Sequence, residues 1–195
     1  MPKIERDSLM SLERYAKERP KFRAEVLRHK KDRTVGVGPS ITLIFEDELT
    51  IRYQVQEMLR VEKTFEEAGI QDELDAYNPL VPDGGNLKAT MLIEYPDPEE
   101  RKRELAKLRD VEHQVQIEID GCERISAIAD EDMARSNDEK TSAVHFLRFE
   151  LPAEARAEVR SGANISVVIE HPAYHARASL SDATRKTLAA DLSTD

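Results

Sequence analysis

Apolar residues at every second position recur along this 195-residue chain, and that period of two most constrains what it can fold into. Ala89, Met91, Ile93 and Tyr95 alternate with their neighbours. So do Val115, Ile117 and Ile119, then Leu147, Phe149 and Leu151, then Ile165, Val167 and Ile169. Residues two apart leave a strand on the same side, so each run reads as a strand with one buried face. With the β-branched run Ile41-Thr-Leu-Ile-Phe45, strands are expected near 41–45, 88–95, 114–119, 123–128, 144–151 and 165–171.

Helical patterns lie between them. Asp47 can cap a helix with Glu48 in its first turn, running to about Ala68 and stopping at Gly69, with Ile51, Val55, Met58 and Phe65 spaced for one buried face. Asp97-Pro98-Glu99-Glu100 is a cap, a first-turn proline and two acids, a strong helix start ending near Asp110. Pro152–Arg160 reads as a helix closed by Gly162. Residues 8–31 read as helix broken at Pro20, because proline lacks an amide donor and clashes with the preceding turn. Residues 72–86 carry two prolines and two glycines and read as irregular. The expected fold is α+β, a mixed or antiparallel sheet of about six strands flanked by helices, with residues 1–172 as one domain and 8–33 as its basic helical arm. Residues 173–195 read as a polar tail in which Ser181 can cap a short helix from Asp182.

Two finer expectations follow. The helix between 144–151 and 165–171 would let these strands lie parallel in one sheet. Asp120-Gly121 marks a hairpin, and a three-residue loop from Ile119 to Gly121 sets Val115 opposite Ile125.

Composition excludes several classes. A single cysteine, Cys122, rules out a disulfide scaffold, and no apolar run approaches the roughly 20 residues of a membrane span. With no apolar leader at the start, a reducing cytoplasm is expected. The net charge of −10 argues against nucleic acid as a partner. The charge is uneven: Arg14–Arg33 holds nine Lys or Arg against three acids, or +6, which leaves −16 on the remainder. Such a run reads either as a solvated face neutralised by the chain's own acids or as a docking arm for an acidic partner.

No Cys-x-x-Cys, phosphate loop, dinucleotide fingerprint or nucleophile elbow is present. Cys122, beside a turn and without a basic neighbour, reads as structural. By phase, His145 shares a face with Leu147 and Phe149, and His171 with Val167 and Ile169. Buried histidines there are either core groups bonded to backbone or carboxylate, or parts of a metal site or an acid–base pair. Tyr53, Glu57 and Arg60 share one helical face, and the segment above it supplies Asp75, Tyr77, Asn78 and Asp83. Glu57, His145 and His171 are the candidate catalytic or metal-binding groups of a polar pocket. A carboxylate with imidazoles would suit iron, manganese or zinc.

Four segments in order resemble a known family: Phe45–Arg60, Asp75–Gly84, Lys140–Glu150 and His171–Tyr174. The sequence is similar across nearly its whole length to a bacterial family catalogued as domain of unknown function 3501. The resemblance implies a cytoplasmic protein whose genes often lie beside those for a rubrerythrin-like protein and an iron–sulfur oxidoreductase. It therefore implies a redox or peroxide-defence partner. It supplies no catalytic residues.

Overall fold

The computed structural model describes residues 3–137 and 139–193. The alternating segments form two antiparallel sheets. The first has the order β1-β2-β3-β7-β6, from Thr34–Val37, Ile41–Phe45, Asn86–Ile93, Val144–Glu150 and Ile128–Ala129. The second has the order β5-β4-β8-β9, from Ile125–Ser126, Val115–Ile119, Ile165–His171 and Tyr174–Ser179. Helices accompany them, so the fold is α+β as the alternation implies.

One core fills the space between the sheets. Leu43, Met91, Phe149, Ile117 and Val167 all turn inward and are fully buried. Leu105 of α4 (Pro98–Lys107), Val159 of α5 (Ala153–Ser161) and Leu188 of α6 (Asp182–Asp191) enter the same cluster. The expected parallel pairing of 144–151 with 165–171 does not occur: β7 pairs with β3 and β6, β8 with β4 and β9. The intervening α5 carries the chain from one sheet to the other rather than across a single sheet.

The β4–β5 hairpin also differs from expectation. Ile117 faces Ile125, and Gln116 faces Ser126. The turn therefore takes in Cys122, whose amide donates to the Ile119 carbonyl, while Gly121 supplies the left-handed residue with φ 84°. This register is two residues from the expected one. A slip of two leaves every side chain on its own face, which is why the apolar alternation could not tell the two apart.

A helical layer packs on the outer face of the first sheet. α1 (Leu12–Lys31) runs unbroken through Pro20. Tyr15 lies on one side of the proline and Phe22 and Val26 on the other; all three are buried, while Pro20 itself is exposed. Phe22 meets Tyr15 and Tyr53 edge-on at 6.2 and 5.8 Å, so tertiary packing on both sides overrides the local cost of the proline. α2 (Glu48–Glu62) starts in a capping box between Asp47 and Thr50 and stops at left-handed Lys63, earlier than Gly69, so Phe65 lies outside it and is exposed. Residues 72–80, expected to be irregular as part of 72–86, belong instead to α3 (Glu67–Tyr77) and a 3₁₀ turn. Ile70 and Leu74 of α3 pack against Ile51, Val55 and Leu59 of α2. Residues 173–193, read as a tail, contain β9 and α6; residues 194 and 195 lie outside the described residues.

Tyr174 joins the two sheets. Its hydroxyl donates to the Val37 carbonyl at 2.7 Å and accepts from the Ser40 and Ile41 amides, each at 3.1 Å. Gly38, at φ 76°, passes so close that a Cβ would meet the Tyr174 hydroxyl at 2.7 Å. Tyr174→Phe should cost about 1–3 kcal/mol by leaving two buried amides without an acceptor. Urea unfolding of the two proteins checks this, and an unchanged midpoint would contradict it.

Candidate functional site

The outer face of the first sheet carries the other half of its alternation, part polar and part apolar. Thr42 and Ile44 of β2, Thr90 and Leu92 of β3, and Phe146 and Arg148 of β7 point away from the core residues between them. Glu46 extends β2 by one residue, its amide donating to the Lys88 carbonyl. Lys88 in turn faces Arg148 across the β3–β7 ladder.

α2 and α3 cover this face incompletely. Between them and the sheet lies a cavity of about 510 Å³, and next to it one of about 290 Å³. The two share Glu46, Tyr77, Leu80 and Phe146. The larger also meets Met58, Ala76 and the segment from Glu131 to Arg135. The larger cavity takes Asp75, Tyr77, Pro79 and Leu80 from the 75–86 segment, and its other walls come from α2, α3 and the outer sheet face rather than from Tyr53, Glu57, Arg60, His145 or His171.

The charges at its edge are arranged in pairs. Arg148 bonds Glu131 at 2.8 Å and also meets Glu150. Arg135 bonds Asp132 at 2.5 Å and Asp130 at 3.2 Å, with its guanidinium 4.6 Å from the centre of the Phe146 ring. Lys88 donates to the Pro79 and Val81 carbonyls at 2.6 and 3.1 Å, and burial holds its ammonium below the usual lysine range. Burial, with Glu62 and Asp72 nearby, raises the carboxyl of Glu73 above its ordinary value.

The expected site residues divide among six places. Asp75 and Tyr77 line the larger cavity. Asn78 instead ties down the start of the chain, accepting from the Ile4 amide at 2.8 Å and donating to its carbonyl at 3.0 Å. Asp83 closes the turn before β3: burial opposes its ionisation, yet the Gly85 amide and Asn86 bring it below its ordinary value. Tyr53 packs on Phe22.

Glu57 belongs to the α1–α2 interface. It accepts from Arg19 through both oxygens, at 2.7 and 2.8 Å, from the Tyr15 hydroxyl at 2.6 Å, and from Arg60 at 3.3 Å. The Arg19 hydrogen bonds, against the opposing effect of burial, pull its carboxyl from 4.5 down to about 2.

His145 is fully buried at one end of the core. Its Nδ1 lies 2.6 Å from Asp130, and its Nε2 lies 2.8 Å from the Thr141 hydroxyl and 3.8 Å from Glu112. Glu112, Asp130 and His145 could offer a metal three atoms within 4.8 Å of one another. The same atoms are already engaged: Ser136 and Thr141 donate to Glu112, and Arg135 and the Phe146 amide hold Asp130. His171 is the last residue of β8, paired with Tyr174 where the β8–β9 hairpin turns. Its Nε2 lies 2.9 Å from the Arg109 carbonyl, and its Nδ1 accepts from the Ala173 amide at 3.1 Å. These partners assign the ring proton to Nε2. Glu57, His145 and His171 therefore share no hydrogen bond or metal grouping among the described residues. Burial, then Glu158 and Glu154, raise the Cys122 thiol above its ordinary value, which disfavours the thiolate.

Glu46, Lys88 and Arg148 escaped the sequence reading. Their signal was the polar half of the same alternation that marked the core.

A family model described as "Protein of unknown function (DUF3501)" matches residues 3–192. The chain belongs to that family. A crystal structure at 1.90 Å of a novel protein of unknown function from Burkholderia pseudomallei K96243 is similar to it throughout. The two share 50% identity at a TM-score of 0.94, over 98% of this chain and 100% of that one. No curated protein matches. Among the described residues, no helix is long and apolar enough to cross a membrane.

The Glu57 cluster makes stability depend on acid. Its folded carboxyl titrates near 2 against 4.5 when free, so its contribution is complete above pH 4.5 and fades as pH falls toward 2. Glu57→Gln should cost about 1.5–3 kcal/mol at pH 7. The gap to the wild type should narrow steadily between about pH 5 and 3 in urea titrations. A gap that holds constant or widens over that range would reject the assignment.

Proposed function

We propose that this chain is an accessory protein that docks an acidic partner through the exposed face of α1. One observation carries the reading. Of the basic residues between Arg14 and Arg33, Arg19 and Arg33 are consumed inside the molecule by Glu57 and by Asp47 and Asp191. Arg14, Lys17, Lys21, Arg23, Arg28 and Lys31 stand exposed, and none forms an ion pair among the described residues. The chain's own acidic body thus leaves this face unneutralised. A positive face on a chain of net charge −10 favours encounter with a negatively charged surface and sets its orientation.

The family's gene context supports a redox or peroxide-defence partner, either a rubrerythrin-like protein or an iron–sulfur oxidoreductase. An enzyme built on Glu57, His145 and His171 has no geometric support, because each is held in a separate network. If the complex carries iron, manganese or zinc on this chain, Glu112, Asp130 and His145 are the ligands to examine, and they would have to exchange their present hydrogen bonds for the metal.

The test is calorimetric titration against each of the two candidate partners. Wild-type binding should weaken as salt rises, and the triple reversal of Arg23, Arg28 and Lys31 to Glu should lower affinity by about tenfold or more. The far-UV circular dichroism of the variant should match the wild type, since these side chains are solvent-exposed. Equal affinity of variant and wild type for a partner that does bind, or no binding by either partner, would overturn the proposal.

A further inference from the structure

We infer that the cleft between α3 and the first sheet binds an apolar organic ammonium ion, with the Glu46 carboxylate as its anchor. Glu46 is 7% exposed and lies where the two cavities meet. Its Oε1 accepts from the Thr90 hydroxyl at 2.7 Å. Its Oε2 is buried, and no donor of the described residues reaches it. That oxygen has almost no accessible surface as it stands, so a bound donor would relieve its desolvation cost only by drawing the carboxylate toward the cavity.

The protein withholds its own cations from this oxygen. Lys88 is the cross-strand neighbour of Glu46, yet its ammonium turns to the Pro79 and Val81 carbonyls. Arg148 and Arg135 are the other bases at the cavity, and both are occupied by Glu131, Glu150, Asp132 and Asp130. Glu73 and Asp75 also line the cavity, and neither forms an ion pair among the described residues. Three carboxylates without an ion pair (Glu46, Glu73 and Asp75) stand against two ammoniums without one, Lys88, which meets only carbonyls, and Lys30 at the smaller cavity, so among the described residues the unpaired charge around the two cavities is negative by one, which favours a cation over an anion.

The walls select what the cation is attached to. Met58, Ala76, Tyr77, Leu80 and Phe146 present an apolar and aromatic surface around the larger cavity. A volume near 510 Å³ lies within the range of small-molecule sites, about 300–1,000 Å³. An aryl or alkyl body would bury against these walls while its ammonium donates to Glu46. A metal ion would lack partners here, because among the described residues no group of three potential metal ligands includes Glu46. The site is distinct from the exposed face of α1 and does not depend on docking there.

Phenethylammonium is the probe, followed by two-dimensional amide NMR of the full chain. It should saturate at millimolar concentration or below, with shifts centred on Thr90, Tyr77, Leu80 and Phe146. Glu46→Gln keeps an acceptor for Thr90 and should fold, yet should weaken binding by about tenfold or more through loss of a charge-assisted hydrogen bond. Ala76→Trp, at an exposed position on the α3 wall, should block binding by filling the cavity. The neutral isostere 2-phenylethanol and the anion 3-phenylpropionate should bind more weakly than the ammonium. The inference fails if phenethylammonium does not bind, if its shifts map elsewhere, if either variant binds it as tightly as the wild type, or if the alcohol or the carboxylate binds equally well.

Discussion

The buried guanidinium of Arg33 is the interaction on which the arrangement of layers depends. It is 2% exposed, donates twice to Asp191 at 2.8 Å, and lies 2.9 Å from Asp47. A cation is tolerated in such a place only when its hydrogen bonds are met, and here two carboxylates from opposite ends of the chain meet them. Asp47 is also the cap of α2, accepting from the Thr50 amide, and His29 of α1 lies 2.5 Å from its other oxygen. Asp191 ends α6, and burial raises its carboxyl above the ordinary value even with Arg33 beside it. One side chain thus fixes the end of α1, the start of α2 and the end of α6 against the rim of the first sheet.

That anchor has a consequence for the cleft. Arg33 also donates to the Glu46 carbonyl at 3.4 Å, and its own carbonyl accepts from the Phe45 amide. The segment that presents the Glu46 carboxylate is held from behind by Arg33 and from the side by Lys88 of β3. α2 leaves this point directly and α3 returns along it, so the walls of the cavity inherit their position from the same anchor. The helical hairpin packs mainly on its own residues, Ile51, Val55, Leu59, Ile70 and Leu74, rather than into the sheet. A space between two well-packed layers results.

Period-two alternation made β3, β4, β7 and β8 legible in sequence and β-branching made β2 legible, whereas β1 and β9 lay outside the expected strands; capping chemistry made α2, α4 and α5 legible. Local signals failed where tertiary contacts decided the outcome. Pro20 stays helical because Tyr15 and Phe22 dock on either side of it. α3 forms from a stretch with weak local signal because Ile70 and Leu74 complete the α2 surface. Strand partners were not legible, since β7 and β8 have equally apolar faces and only the closure through α5 assigns them to different sheets. Of the site, Asp75 and Tyr77 were found through their segment, whereas Glu46 and Lys88 were passed over as the polar phase of strands. Glu57, His145 and His171 share only polarity next to an apolar stripe, and sequence phase has no information about which buried polar groups meet. Each found its own partners.

The dependence on Arg33 is tested most directly by native-state hydrogen exchange on an Arg33→Met variant, which keeps the bulk of the side chain and removes its charge. Removing one member of a buried ionic network costs about 3–5 kcal/mol. The account predicts that this loss is local: amides of α2 and α6 lose protection by opening as units, while those of Leu43, Met91, Ile117 and Val167 in the two sheets keep theirs relative to the helices. Unchanged protection in α2 and α6, or an equal loss in helices and sheets, would contradict it.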